Sequence, residues 1–318
     1  MIISGIDVST LDAQFKPDVP GRVLVLDGDA AVYRATAKAA KLDTAYRRFI
    51  TEVLTDKFLT SAETVQVHLT AAGCAKAHRA AYPSHKPYQG NRAGKEKPRL
   101  LEPLREFLGT NPDDLPEEIS IHLQRHWEAD DSMRIQCYAL GDVSVVKSDD
   151  KDMRQFITPY WETSTATLDT LAPGDTWGWI APAFTESGTR VWKGHGHKAF
   201  WFQMLAGDPP DNVQGITKLN GKTCAVAGAL DFLGPIDCEH EAANKILWAY
   251  VKAEQNALAE AEMLWLRRTE DDTAYAYLSS LELDKPLRQW LDGIHTYHLH
   301  LLQEHNRADV EPPPWVED

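Results

Sequence analysis

Residues 22–34 read RVLVLDGDAAVYR. Arg22–Leu26 is a near-continuous apolar run that stops at Asp27-Gly28-Asp29, after which Ala30, Ala31, Tyr33 and Arg34 begin a helical spacing. A strand without polar alternation is one buried on both faces, as in a parallel sheet covered by helices. Val65–Leu69 (VQVHL) and Val143–Lys147 (VSVVK) read as further strands, and Asp130–Leu140 and Lys151–Phe156 as helices. The order βαβα predicts an α/β fold with a mostly parallel central sheet flanked by helices. In such sheets the ligand crevice opens at the carboxyl ends of the strands, where Asp27 and Asp149–Asp152 stand.

The 318 residues are 43% hydrophobic and 25% charged, which excludes a disordered, collagenous or disulfide-scaffold chain. No apolar stretch approaches the roughly 18–20 residues that cross a bilayer, and Met1–Gly21 lacks the pattern of an export signal. Cys74, Cys137, Cys224 and Cys238 are widely spaced with no CxxC pair, so packed, reduced thiols in a cytoplasmic protein are expected. A membrane partner is not expected, and a monomer is.

Lys plus Arg is 33 and Asp plus Glu is 47, a formal charge of -14 that by itself argues against nucleic acid. The excess is concentrated. Asp27 and Asp29, then Glu128, Asp130 and Asp131, then Asp149, Asp150 and Asp152, then Asp208 and Asp211 are ten acids in four short clusters; without them the balance is 33 against 37. Like carboxylates brought together repel unless cations neutralise them, so clusters that meet form a divalent-metal site. Each cluster alone has a plainer reading. Acids suit the first turn of a helix at 128–131, Ser148 or Asp149 serves as an N-cap, and Asp208-Pro209-Pro210-Asp211 is a rigid turn. Jointly they favour two Mg²⁺ or Mn²⁺ ions and phosphoryl transfer.

Lys76–Arg105 is the one basic stretch, with eight Lys or Arg against Glu96 and Glu102, and its prolines and glycines mark part of it as a loop or lid. Residues 161–195 read as short strands and turns. Glu239–Arg268 and Leu281–Leu302 read as helices, and Glu311–Asp318 as a polar proline-rich tail. His195 and His197 are read as a turn or surface contact, and His122 and His126 as structural.

The ordered set VLVLDGDAAVYR, HRAAYPSHKPYQGNR, EADDSM, SDDKDM and GDPPDNVQGI resembles the 5′ nuclease superfamily of flap endonucleases and 5′-3′ exonucleases, most closely the stand-alone exonucleases of tailed bacteriophages. The resemblance covers residues 22–235. It implies a PIN-like catalytic domain over 1–200 with a helical arch or clamp at about 74–108. Over 201–318 it implies a helix-three-turn-helix duplex-binding region, and a helical extension follows.

By the same resemblance Asp27, Glu128, Asp130, Asp131, Asp150, Asp152, Asp208 and Asp211 hold the two metals, with Asp29 and Asp149 less secure. Arg79 and Arg92 contact the phosphates beside the scissile bond, and Tyr33 or Tyr88 stacks on a base. Arg34, Asn91, Lys95 and Lys97 lie along the strand. Lys218, Gly221, Lys222 and Thr223 grip duplex backbone, with a K⁺ ion at that turn. The implied reaction is hydrolysis at 5′ ends or flaps of DNA, or of an RNA–DNA hybrid, to a 5′-phosphate and a 3′-hydroxyl, in phage DNA replication and with a possible replication-protein partner.

Two departures from the family pattern matter. Thr70-Ala71-Ala72-Gly73 has no carboxylate where the family has an Asp, and Tyr88-Gln89-Gly90-Asn91-Arg92 has Gln89 where the family has a catalytic lysine, a gap that Lys86 is expected to fill. A haloacid-dehalogenase-type phosphatase, suggested by Asp27-Gly28-Asp29 after a strand, and a non-catalytic flap-binding protein are the competing readings.

Overall fold

The computed structural model describes Ile2–Ile3, Ile6–Asp7 and residues 18–92, 94, 96–185 and 187–310, with side chains placed from 18 to 304. Strands β1 (Ile2–Ile3) and β2 (Ile6–Asp7) pair antiparallel ahead of the main fold. β3 (Val19–Asp27) carries the apolar run into the centre of a six-stranded sheet, where Leu24, Val25 and Leu26 are buried. Helix α1 (Gly28–Ala37) starts at once because the Asp27 carboxylate accepts from the amides of Asp29 and Ala30. α2 (Leu42–Thr60), β4 (Ala62–Thr70), α3 (Leu101–Thr110), β5 (Ile119–Gln124), α4 (Ala129–Leu140) and β6 (Ser144–Lys147) continue the alternation. β7 (Tyr160–Glu162) and β8 (Thr167–Asp169) finish the sheet.

The strand order is β5-β4-β3-β6-β7-β8, parallel except for the last pair. The chain steps outward from β3 to β5 and then returns to the other side of β3 at β6. The loops after β3 and β6 therefore face each other at a switch point, where open parallel sheets leave a crevice. α1, α2 and α3 cover one face through Val32, Phe49, Val53, Leu104 and Leu108, while Met133, Cys137, Met153 and Phe156 cover the other.

The remainder is a hairpin of β9 (Trp179–Phe184) and β10 (Arg190–His195) and a helical layer of α5 (His197–Ala206), α6 (Val226–Leu233), α7 (Glu239–Lys252), α8 (Ala257–Leu264), α9 (Ala274–Ser280) and α10 (Lys285–Val310). α5 is buried on all sides over residues 197–205, with Phe200, Trp201 and Phe202 in one core with Tyr250, Trp265 and Tyr277.

Three readings of the sequence change here. Lys151–Gln155 is a short 3₁₀ segment in place of a helix, held by Asp150 as its cap. The stretch 239–268 breaks into α7 and α8, because Glu254 adopts a left-handed backbone and Asn256 caps a new helix. Among the described residues of the expected arch at about 74–108, Lys76–Ala81 and Gly90–Arg92 are short 3₁₀ segments and α3 begins only at Leu101, so the part before residue 101 is mostly irregular; Pro83, Pro87 and Pro98 deny that part the amides a helix needs. The proline-rich tail at 311–318 lies outside the described residues.

Gly28 is where the first helix meets the sheet. A Cβ there would stand 2.5 Å from Val67 Cγ1 and 2.6 Å from the His68 carbonyl oxygen, an approach no side chain tolerates. Gly28→Ala is therefore expected to cost about 1–3 kcal/mol through overpacking, read as a lower urea midpoint with unchanged slope; an unchanged midpoint would contradict this packing.

Candidate metal centre

Four separate segments bring carboxylates to the crevice. The loop after β3 supplies Asp27 and Asp29, the start of α4 supplies Glu128 and Asp130, the loop after β6 supplies Asp149, Asp150 and Asp152, and the turn after α5 supplies Asp208 and Asp211. Asp27, Asp29, Glu128, Asp130, Asp149, Asp150 and Asp211 line one cavity of about 300 Å³. Oxygens of Asp152, Asp208 and Asp211 form a second group, all within 4.8 Å of one another. A larger cavity of about 1000 Å³ lies elsewhere, beside α6 and α7, and its lining includes Lys218 and Gly221. The ionisable crowding is in the smaller one.

Each carboxylate is aimed by local structure. Besides capping α1, Asp27 accepts from Ser148 Oγ at 2.7 Å, and the same hydroxyl oxygen accepts the Asp150 amide at 2.9 Å. Asp150, not Ser148 or Asp149, caps the 3₁₀ segment, accepting the Asp152 amide at 3.0 Å. Tyr160 donates its hydroxyl to the Ser148 carbonyl and holds this loop from below. Asp208 follows Gly207, whose φ of +75° and close approach to the Gln214 carbonyl require a glycine, and a bridge between Asp208 and Val213 closes the turn.

The groups differ in how their charge is met. Burial, then repulsion from Asp150, Glu128 and Asp27, drives Asp130 well above the ordinary carboxylate value. Loss of surrounding water, then Asp152, pushes Asp150 up to about 7, although it stands at the cavity mouth. Burial raises Asp29, against the pull of Arg105, whose Nη2 lies 2.9 Å from Oδ1. Burial also raises Glu128, but Arg79 and Lys76 outweigh it and hold Glu128 below its usual value. Asp208 is 1% exposed and raised by burial and Asp152 even beside Lys151; its Oδ2 is buried without a hydrogen-bond partner. A buried carboxylate oxygen left unpaired among other carboxylates fits a hard divalent cation better than any neutral ligand.

Several expected site residues stand elsewhere. Asp131 is fully buried, held by both terminal nitrogens of Arg79 at 2.8 Å and by the Arg267 amide at 3.1 Å, and it does not line the cavity. Arg79 is therefore not on an exposed arch. It is 3% exposed, also bonds Glu128 Oε2 and the carbonyls of Glu262 and Trp265, and locks α4 to the C-terminal helices. Tyr88, expected to stack on a base, points its hydroxyl at Glu128 (2.5 Å) and Asp211 (3.4 Å). Arg92 pairs with Asp211, and Asn91 donates to the Pro209 carbonyl. Arg34 bridges Glu52 and Asp149. Tyr33 is 51% exposed. Lys97 pairs with Glu102 on the surface, Lys222 and Thr223 are exposed, and Lys95 lies outside the described residues.

Lys86 is exposed and makes no ion pair among the described residues. The lysine of the basic stretch that reaches the site is Lys76, whose Nζ lies 3.1 Å from Glu128 Oε1 and bonds Gln89 Oε1. Gln89 Nε2 in turn donates to Glu128 and Asp211, each at 3.1 Å. Lys76 is presented by three successive left-handed residues, Lys76, Ala77 and His78, none of them glycine, which no sequence pattern announces. The carboxylate absent after β4 has a local counterpart: Asp29 accepts the Thr70 amide at 3.0 Å and so stands at that strand end.

No family model matches this chain, and no curated protein matches it. Solved structures do. The T5 5′-exonuclease with bound divalent metal ions (zinc) superposes with a TM-score of 0.50 at 14% identity, covering 88% of this chain and 99% of that one. The T5 D15 protein co-crystallized with metal ions gives 0.48 at 14% identity over 88% and 99%. The bacteriophage T5 D15 flap endonuclease in a pseudo-enzyme–product complex with DNA and metal ions gives 0.45 at 14% over 89% and 99%. At this identity the T5 5′-exonuclease likeness shows the fold alone: the chain shares that structure's α/β architecture.

Two measurements test the centre. Removing Arg79 leaves Asp131 charged and unpaired in the interior, so Arg79→Met is expected to destabilise by about 3–5 kcal/mol in urea unfolding; a variant of full stability would show the pair to be dispensable. A carboxylate whose folded pKa is raised binds more protons folded than unfolded, so its ionisation subtracts stability as pH climbs from the ordinary carboxylate range through the folded value. For Asp150 that value is about 7. Asp150→Asn, which keeps the cap, is therefore expected to raise the melting temperature in EDTA most at pH 8 and by only about a third as much at pH 5. Equal shifts at both pH values would contradict the crowding.

Proposed function

We propose that this chain is a divalent-metal-dependent 5′ nuclease that hydrolyses phosphodiester bonds at 5′ ends or flaps of DNA, as an exonuclease, a flap endonuclease or both. The observation that carries this reading is the trio Asp27, Asp130 and Asp150, three carboxylates from three segments that share one cavity and form no ion pair within 4.0 Å among the described residues. The fold shared with a 5′-exonuclease that binds divalent ions supports it.

In this reading Asp27, Asp130, Asp150 and Glu128 hold one Mg²⁺ or Mn²⁺, and Asp152, Asp208 and Asp211 hold a second. Such cations supply charge neutralisation and a source of hydroxide at neutral pH. The chain's own groups do the positioning. Lys76 and Gln89 hold Glu128, Ser148 holds Asp27, and Arg92 and Asn91 tie the basic loop to the Pro209–Asp211 turn beside the cavity. Exposed Tyr33 is placed to stack on a base beyond the scissile phosphate. Lys218, Gly221, Lys222 and Thr223, on the turns between α5 and α6, hold duplex backbone without reading sequence, with K⁺ at that turn. The catalytic unit is residues 1–200, residues 201–318 carry the duplex, and the protein acts as a monomer in phage replication.

Product sizing on 5′-labelled flap, nicked, blunt and RNA-primed duplexes tests this. Short 5′-phosphate-ended or 3′-hydroxyl-ended products are expected only with Mg²⁺ or Mn²⁺, and Asp130→Asn is expected to lower the rate at least about a hundredfold, the loss of roughly 3 kcal/mol of transition-state stabilisation. Flaps bound but left uncut, or inorganic phosphate released from a small phosphomonoester without any nucleotide, would sink the proposal.

A further inference from the structure

The two carboxylate groups are neutralised unequally. Asp27 accepts from two backbone amides and the Ser148 hydroxyl and Asp150 from one backbone amide, and no lysine or arginine forms an ion pair with Asp27, Asp130 or Asp150 among the described residues. The second group carries two intrinsic cations. Lys151 Nζ lies 3.1 Å from Asp152 Oδ1 and contacts Asp208 Oδ1, and Arg92 contacts Asp211. The Lys151 ammonium thus touches two of the three side chains whose oxygens converge within 4.8 Å. The third element of the site, Asp208 Oδ2, is buried and unpartnered.

A lysine head is a compact point charge with three donors, and a divalent ion bound by the same oxygens at roughly 2.0–2.1 Å needs the space that head fills. We infer that the Lys151 ammonium is the resident cation of the Asp152–Asp208–Asp211 group, and that a second divalent ion enters there only by displacing it. This rests on the metal-centre reading above and adds an order of filling to it. An ion entering the first group meets carboxylates that have no ion pair within the protein, and no side-chain cation has to leave. An ion entering the second replaces one positive charge with two while Arg92 stays, so its electrostatic gain is smaller.

The displaced head has somewhere to go. The Lys151 side chain is 33% exposed, and the residue also lines a second cavity of about 240 Å³. Asp149 and Glu162 stand on that cavity's wall, and a four-carbon stem lets the ammonium swing toward them. Glu162 already has Arg154 at 2.7 Å and Lys193 at 3.4 Å, so the new position is the weaker one for Lys151, as a displaceable occupant requires.

Counting free Mn²⁺ by its paramagnetic resonance signal during titration of the intact protein tests this without any turnover. Wild type is expected to bind one ion tightly and a second at least about tenfold more weakly. Lys151→Met is expected to tighten the second ion at least about tenfold and the first within twofold, while Lys151→Arg keeps the second weak. In wild type the Lys151 ammonium protons, observed by NMR, are expected to lose protection from exchange at the second equivalent of Mg²⁺ and not at the first; this needs no variant to fold. Two equal ions in wild type, loss of that protection at the first equivalent, or a folded Lys151→Met with an unchanged second ion, would overturn the inference. No Mn²⁺ bound by any form would instead overturn the metal centre itself, and the order of filling with it.

Discussion

Carboxylate repulsion at the carboxyl end of the sheet is the constraint around which this structure is arranged. Acids from four segments are forced together because β3 and β6 are neighbours, and α4 and the turn after α5 close over them. The fold meets the resulting charge in two ways. Where it has a cation to spend it places one: Arg105 on Asp29, Arg79 on Asp131, Lys76 on Glu128, Lys151 on Asp208 and Arg92 on Asp211. At Asp27, Asp130 and Asp150 it places no ion pair among the described residues, and these carboxylates are the ones the proposed metal centre is built on.

The basic stretch acquires its meaning from this arrangement. Read alone it is a positively charged excursion that suggests a nucleic-acid track. In the fold much of its charge is turned inward, with Lys76, Arg79, Arg92 and Arg105 all paired to acids of the centre. Its ordered backbone is laced to the Pro209–Asp211 turn through the Gln89 amide and the Asn212 side chain. The loop therefore acts first as the lattice of counter-charges that makes an acidic crevice foldable.

The sheet was legible because unbroken apolar runs such as Val23–Leu26 belong to strands covered on both faces, and their ends placed Asp27 and Asp150 together. Side-chain direction was not legible. Glu128, Asp130 and Asp131 are consecutive apart from one residue, yet Asp131 turns into the interior toward Arg79 while Asp130 faces the cavity, a choice fixed by helices more than a hundred residues away. Lys76 escaped notice because it depends on a left-handed run of ordinary residues, and Lys86 drew attention by its nearness in sequence to Gln89. Breaks in the C-terminal helices turned on a single residue, Glu254, whose backbone conformation carries no compositional mark.

Two buried arginines give the C-terminal helices a role that their distance from the crevice hides. Arg134, wholly buried under the ring of Trp265, donates to the Leu266 carbonyl and to Gln155, and Gln155 reaches the Leu264 carbonyl, while Arg79 spends two donors on Glu262 and Trp265. The end of α8 and the peptide that follows it are dowelled to α4 by guanidinium groups. Shortening the protein ahead of that peptide would not trim an appendage; it would remove the carbonyl acceptors of both buried guanidinium groups and with them the anchor of the helix that aims Glu128 and Asp130.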